Sequence, residues 1–291
     1  MDVDQPIVEA VLVDGNAIKA VGTLASLTSQ SRAKIISYPE STIIPGLIEP
    51  HTHPIASALL GAAVNVGSPS YTSRSDVMQA LSNAVDGVQL TPWIVAFGWD
   101  PIAVPGMSPP TLAELDEISP DRPMLILTQM LHDAFVNSAG LQAAGIPLSN
   151  GAELKELTLV NRAISAIPPP PDPVVELLVR RQYQAYAEAG FTSIGIAGAV
   201  GRHPDPVGLL HEIGSGASPS LRSFVYLLDG QSNAGWKPQS RFSIVGYKFW
   251  LDGSPFPGGA ATHAAEELTS LTTETRGLSP GHRGALLLHP R

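Results

Sequence analysis

Residues 43–54 read IIPGLIEPHTHP and combine an apolar run of strand length with a closely spaced histidine pair. The apolar run predicts a β-strand at Leu47–His51. Because side chains i and i+2 of a strand project from the same face, His51 and His53 direct two imidazoles to one point. Two neutral imidazoles are common ligands of a divalent metal. The bare tripeptide favours a histidine pair without function, but its proline and glycine neighbours favour a metal site.

The sequence differs in character on the two sides of this stretch. Residues 1–46 contain short β-type runs separated by Asp-Gly and proline, which predict a small β domain of antiparallel strands. From Leu47 onward, apolar runs alternate with amphipathic stretches, a pattern typical of βα units around a parallel sheet. The predicted strands are Leu47–His51, Trp93–Trp99, Met124–Thr128, Thr192–Ile196, Leu221–Leu228 and Ile244–Leu251. The predicted helices are Ser75–Val85, Leu112–Ile118, Ser138–Ala144 and Val174–Ala189.

Composition limits the classes of partner. The net charge of -9, without a run of Lys and Arg, argues against binding to nucleic acid or to an anionic membrane surface. A small-molecule substrate is the better match. The chain has no cysteine, which excludes disulfides and thiolate metal ligands and suits a cytoplasmic location. No apolar run is long enough to predict a membrane span.

The stretch at 43–54 resembles the amidohydrolase superfamily, whose barrel begins with a Pro-Gly-apolar-apolar-Asp-x-His-x-His strand after a β domain. Glu49 stands where the family has Asp. The closer resemblance is to the large branch that includes the N-substituted formamide deformylases. It continues in blocks that match in order and rough spacing, namely Gly98-Trp99-Asp100, Glu114-Leu115-Asp116, Ser119-Pro120-Asp121-Arg122-Pro123, His132-Asp133-Ala134-Phe135-Val136-Asn137-Ser138, Ala189-Gly190-Phe191-Thr192-Ser193-Ile194 and Lys248-Phe249-Trp250-Leu251-Asp252-Gly253-Ser254.

The resemblance implies an α/β fold with an incomplete (β/α)8 TIM-type barrel. Residues 47–291 would form about the first half of this barrel, with an insertion around 93–170, after the partial β domain of residues 1–46. A full barrel takes roughly 250 residues by itself. We therefore expect the chain to be truncated at both ends.

Lys248 stands late in the apolar run 245–250, where an uncompensated ammonium would be costly to bury. By the resemblance it is carboxylated and bridges two metal ions, so the predicted metal ligands are His51, His53 and Lys248. The implied cofactor is a divalent metal, with Zn expected as one or two ions. The alternative is a lysine that snorkels to solvent from the strand end. Asp252 is the catalytic candidate, on the same strand face as Lys248. It could equally begin the Asp-Gly turn that ends the strand.

The remaining candidates would bind substrate. By the resemblance, His132 lies close to the substrate pocket, and Trp99 and Asp100 could line the same pocket from a strand end. Each has an alternative. His132 could merely pack above a helix whose N-cap is Asn137 or Ser138, and a large aromatic such as Trp99 is more often part of the core.

The implied activity is hydrolysis of amide-like, non-peptide C–N bonds by a metal-activated hydroxide. In the family, two further histidines and a late aspartate complete the site. None of these three residues can be assigned in this sequence. A second hypothesis is a catalytically silent fragment or interaction module, whose exposed core would favour a homo-oligomer. A third, an aldolase-like barrel with Lys248 as Schiff-base lysine, leaves the histidine pair unexplained.

Overall fold

The computed structural model describes residues 6–216, 221–232 and 241–249. The chain divides between Pro45 and Gly46 into two compact units. Each unit has its own secondary structure and is described by itself.

The first unit contains an antiparallel hairpin followed by a helix. Strands β1 (Ala10–Asp14) and β2 (Ala17–Gly22) pair with each other, and helix α1 spans Leu24–Gln30. The hairpin agrees with the predicted antiparallel strands. The predicted strand-like run at 34–46 forms no strand in the structure, because its two prolines lack the N–H that a ladder requires.

The larger unit alternates strands and helices along the chain. Its strands are β3 (Leu47–Thr52), β4 (Val64–Asn65), β5 (Ile94–Trp99), β6 (Met124–Thr128), β7 (Asp133–Val136), β8 (Glu153–Lys155), β9 (Phe191–Ala197), β10 (Arg222–Leu227) and β11 (Phe242–Tyr247). Its helices are α2 (Pro54–Gly61), α3 (Arg74–Ala84), α4 (Leu112–Ile118), α5 (Ser138–Ala143), α6 (Glu156–Ala166), α7 (Asp172–Glu188) and α8 (Pro206–Ser215). None of the helices within the described ranges has the length and apolar character needed to cross a bilayer.

The sheet that carries the histidine pair is wholly parallel, in the order β11-β10-β9-β3. Helices α2, α7 and α8 pack on one of its faces and form a core with its buried aliphatic side chains. Exposed apolar side chains also occur on β10 and β11, among them Phe224 and Tyr247, of which 38% and 57% remain accessible. The predicted α/β class with parallel strands is therefore confirmed.

A second sheet has the order β4-β5-β6-β7-β8. Strands β4, β5 and β6 run parallel, whereas β7 and β8 pair antiparallel with their neighbours. Two core clusters pack against this sheet. Both sheets are open in the part of the chain that is described, and no barrel is closed.

A buried asparagine joins three elements of the second sheet region. The Asn137 side chain caps α5 by accepting the N–H of Gly140 at 2.9 Å, which confirms the helix-cap interpretation. Its Oδ1 also accepts the N–H of Met124, while Nδ2 donates to the carbonyls of Ser119 and Arg122. Asn137 has no accessible surface. One polar side chain thereby satisfies backbone groups at the ends of α4, β6 and α5.

Candidate metal centre

The two histidines come together where β3 ends. The ring centroids of His51 and His53 lie 5.3 Å apart, with the ring planes at 79°. With metal–nitrogen bonds of about 2.0–2.1 Å and a tetrahedral angle, the centroids of two imidazoles on one metal lie about 5 Å apart. The spacing of the pair therefore fits a shared cation. His51 is exposed and His53 is half-buried.

The ring of His53 is oriented by a backbone carbonyl. Its Nδ1 lies 3.2 Å from the carbonyl oxygen of Gly198, in the loop after β9. Because a carbonyl oxygen can only accept, this contact favours the tautomer with the proton on Nδ1 and a free lone pair on Nε2. Desolvation by burial lowers the pKa of His53, and the charges of His51 and Lys248 lower it further, against the opposing effect of the Gly198 bond. The lowered pKa favours the neutral form of His53, which is the form that binds a metal.

The loop after β9 has a conformation that depends on glycine. Gly198 and Gly201 have φ values of +101° and +140°. A Cβ at Gly201 would overlap the side chain of Ile55 in α2. The N–H of Ala56 in α2 donates to the carbonyl of Val200 at 3.2 Å. The loop and the first turn of α2, which begins directly after His53, are therefore packed as one piece.

Three contacts fix the backbone of β3 next to the histidines. The carboxylate of Glu49 accepts the N–H of His51 at 2.9 Å. The absence of a side chain at Gly195 lets β9 approach the carbonyl of Pro50, which a Cβ would overlap. The hydroxyl of Thr52, the buried residue between the two histidines, lies 2.6 Å from the hydroxyl of Tyr186 in α7. The strand end is thus held from both sides.

Lys248 follows β11 directly, at the opposite edge of the sheet from β3. Its N–H donates to the carbonyl of Leu227 at 2.8 Å, so parallel pairing with β10 extends to this residue. Its positive charge is the smallest of the causes that lower the pKa of His53. Asp252 lies outside the described residues. Within the described ranges, no group of three or more His, Asp or Glu side chains could hold a metal.

The candidate substrate-binding residues lie on the second sheet. Trp99 ends β5 and is only 1% accessible, with its ring edge-on to Phe135 in the core, which agrees with the packing alternative. Asp100 uses its Oδ1 to accept the N–H groups of Ile102 and Ala103 in a turn. His132 is half-buried and immediately precedes β7. Their role in substrate binding stays a prediction.

Sequence reasoning missed the contacts that orient the pair. The carbonyl of Gly198 is 145 residues from His53 along the chain, and no side-chain type marks it. The small-residue run 197–201, which reads AGAVG after an apolar strand, is the one local signal of a close backbone approach. Tyr186 gave no signal, because it lies within an ordinary helical pattern.

The histidine pair thus lies at the carboxyl end of a strand in a parallel sheet, where α/β proteins bind their ligands. The family model described as amidohydrolase family matches residues 40–263, and the chain belongs to this family.

Two relatives are similar to parts of the chain. The chain is 26% identical over 140 residues to the N-substituted formamide deformylase of Arthrobacter pascens, a match that covers 47% of this chain and 26% of that protein. It is 29% identical over 141 residues to the YtcJ amidohydrolase of Bacillus subtilis (strain 168), with coverages of 47% and 26%. The matched region thus spans about a quarter of each relative.

Two solved structures share the fold. They are an uncharacterized metal-dependent hydrolase from Pyrococcus horikoshii, at 19% identity and TM-score 0.57, and one from Pyrococcus furiosus, at 18% and 0.57. The matches cover 84% and 85% of this chain, and 51% and 54% of those chains. At this identity the likeness concerns the fold alone.

Proposed function

We propose that this chain supplies the first metal ligands of a hydrolase that cleaves amide-like, non-peptide C–N bonds in a small molecule. The observation that carries the proposal is the histidine pair, whose 5.3 Å centroid spacing fits two imidazoles on one cation. Membership of the amidohydrolase family supports the hydrolase class. The name of the Arthrobacter relative, an N-substituted formamide deformylase, supports the bond type.

Each residue has a defined part in the proposal. His51 and His53 hold the cation, and Gly198 fixes the ring of His53 so that Nε2 is presented. Lys248 is the third ligand after carboxylation, which replaces its positive charge with an anion. A divalent cation, expected to be Zn, supplies Lewis acidity toward a carbonyl oxygen and toward water when bound. His132 and Asp100 are proposed to contact substrate.

The parallel sheet is proposed to be part of a (β/α)8 barrel. Its strands follow one another in chain order from β3 to β11, and its helices cover one face. In a barrel of this type, side chains on the uncovered face fill the interior, and ligands bind at the carboxyl ends of the strands. The position of His51 and His53 agrees with that arrangement.

The second candidate function is a catalytically silent interaction module. Exposed apolar side chains on β10 and β11 favour it, because surface of this kind promotes association. Such a module would have no need of a neutral, oriented imidazole at the strand end.

Metal content and hydrolysis separate the two candidates. We expect purified chain to carry about one Zn, Mn or Fe per molecule by mass spectrometry, and His53→Ala to lose it. His203→Ala is the matched control, since His203 is a half-buried loop histidine whose Nδ1 accepts the N–H of Asp205. Metal-loaded wild type should hydrolyse an N-substituted formamide, and chelation should abolish this activity. A metal-free wild type without hydrolysis would overturn the hydrolase proposal, and one that also self-associates would favour the interaction module.

A further inference from the structure

The loop that orients His53 is itself held by a residue of the next loop. Gln231 lies after β10, half-buried, and uses both ends of its amide. Its Oε1 accepts the N–H of Leu228 at 2.9 Å, and its Nε2 donates to the carbonyl of Ala199 at 3.1 Å. Ala199 directly follows Gly198, whose carbonyl contacts His53. Gln231 therefore connects the loop after β10 to the peptide that orients the histidine.

We infer that Gln231 is a positioning residue of the metal centre, which holds Gly198 where its carbonyl selects the Nδ1-protonated tautomer of His53. This inference rests on the proposed function, since it concerns how the same site is prepared for a cation. The two side-chain hydrogen bonds of Gln231 go to backbone groups of Leu228 and Ala199, and not to an imidazole. It acts through Ala199 and Gly198.

The chemistry of the Gln231 side chain is matched to this role. Ala199 is a buried core residue. A buried carbonyl without a hydrogen-bond donor lowers the stability of the fold. Only a side chain that donates at one end and accepts at the other can satisfy Ala199 and Leu228 together. Methionine has a similar length but offers neither bond.

The conformation of the loop makes it sensitive to this contact. Gly198 has a φ of +101°, and a Cβ there would overlap Leu228, so the two loops are in close contact at this point. The carbonyl of Gly198 also accepts the N–H of Val200 at 2.8 Å in a tight turn around Ala199. Displacement of Ala199 would therefore rotate the Gly198 carbonyl away from His53. Metal affinity commonly falls 10–100-fold when a group that orients a ligand is removed.

The test compares Gln231→Met with Gln89→Met. Gln89 is a matched control, because it is a half-buried glutamine whose Nε2 donates to a backbone carbonyl, that of Ala84, in the other sheet region. Long-range 1H–15N NMR reports the tautomer of His53 in metal-free protein, and competition with a chromogenic chelator gives the Kd for Zn. We expect Gln231→Met to populate the Nε2-protonated form of His53 and to raise the Kd about tenfold. Gln89→Met should change neither.

The outcomes distinguish this inference from the proposed function. If Gln231→Met keeps the wild-type tautomer and Kd, or only melts at a lower temperature, the positioning role is wrong. If wild type binds none of Zn, Mn and Fe, the proposed function fails, while the tautomer measurement still decides the role of Gln231. Should Gln231→Met not fold, Gln231→Glu keeps the acceptor for Leu228, lacks the donor for Ala199, and must shift the tautomer in the same direction.

Discussion

Replacement of Asn137 by alanine should be among the most damaging single changes in the second sheet region. The change leaves three buried groups without their partner: the N–H groups of Met124 and Gly140 and the carbonyl of Ser119. The carbonyl of Arg122 keeps the hydroxyl of Ser119 as donor, at 2.8 Å. At about 1 kcal/mol or somewhat more for each unpaired group, the free energy of unfolding should fall by about 3–5 kcal/mol. For a chain of this size that corresponds to a Tm lowered by about 10 °C.

A second substitution at the same position separates the core network from simple helix capping. Asn137→Asp keeps an acceptor for the two N–H groups but puts an oxygen opposite the carbonyls of Ser119 and Arg122. If capping of α5 were the whole role, Asp would serve as well as Asn. Because two donors are lost, we expect Asn137→Asp to cost about 2–3 kcal/mol.

The assay is thermal and urea unfolding followed by circular dichroism. Asn150→Ala is the control, since exposed Asn150 makes one hydrogen bond through the same Nδ2 atom, to the carbonyl of Glu153. It should lie within about 1 kcal/mol of wild type. An Asn137→Ala protein that melts together with Asn150→Ala, or an Asn137→Asp protein as stable as wild type, would refute the network account.

Four further predictions concern the histidine pair and its support. Gly201→Ala should destabilise the protein by about 1–3 kcal/mol and weaken Zn binding, because the new methyl group meets Ile55 at a φ of +140°. Tyr186→Phe should cost about 1 kcal/mol in urea unfolding, since the hydroxyl of Thr52 loses its partner. In metal-free protein, NMR titration should give His53 a pKa below 6.5, mainly because burial disfavours its charged form. As the pH falls below 6.5, the unfolded chain takes up this proton before the folded one, so stability should fall less in His53→Gln than in wild type.

Each of these predictions has its own check. Gly106→Ala places a methyl group at a φ of +81° with no atom within 4 Å, so it carries the backbone strain without the overlap. Equal losses in Gly106→Ala and Gly201→Ala would contradict the packing of the loop against α2. Tyr226→Phe, at an exposed position on β10, should be close to neutral. A His53 pKa at or above 6.5 would contradict the burial of its ring.

Local signals in the sequence were sufficient for part of the fold. An apolar run of strand length with proline and glycine neighbours located β3 and placed both histidines at its end. The N-cap at Asn137 could be predicted because an Asx residue directly precedes a helical pattern. Helix α2 gave no such signal: it contributes Ile55 and Ala58 to one core and Leu60 to another, so it lacks a polar face.

The orientation of the site could not be predicted, because it depends on contacts between distant segments. The bond from His53 to Gly198 and the bond from Gln231 to Ala199 join residues that are brought together only by parallel pairing of β3, β9 and β10. Backbone carbonyls carry no residue identity that a sequence pattern could reveal. The 34–46 run was wrongly predicted as strand-like because its β-type residues outweighed the effect of two prolines on pairing.

The most direct measurement of the metal centre is X-ray absorption at the Zn edge of the Zn-loaded chain. We expect two imidazole nitrogens at about 2.0–2.1 Å from the metal, with one lost in His51→Ala and one in His53→Ala. A spectrum with no imidazole, or one that neither substitution changes, would contradict the assignment of the pair as metal ligands.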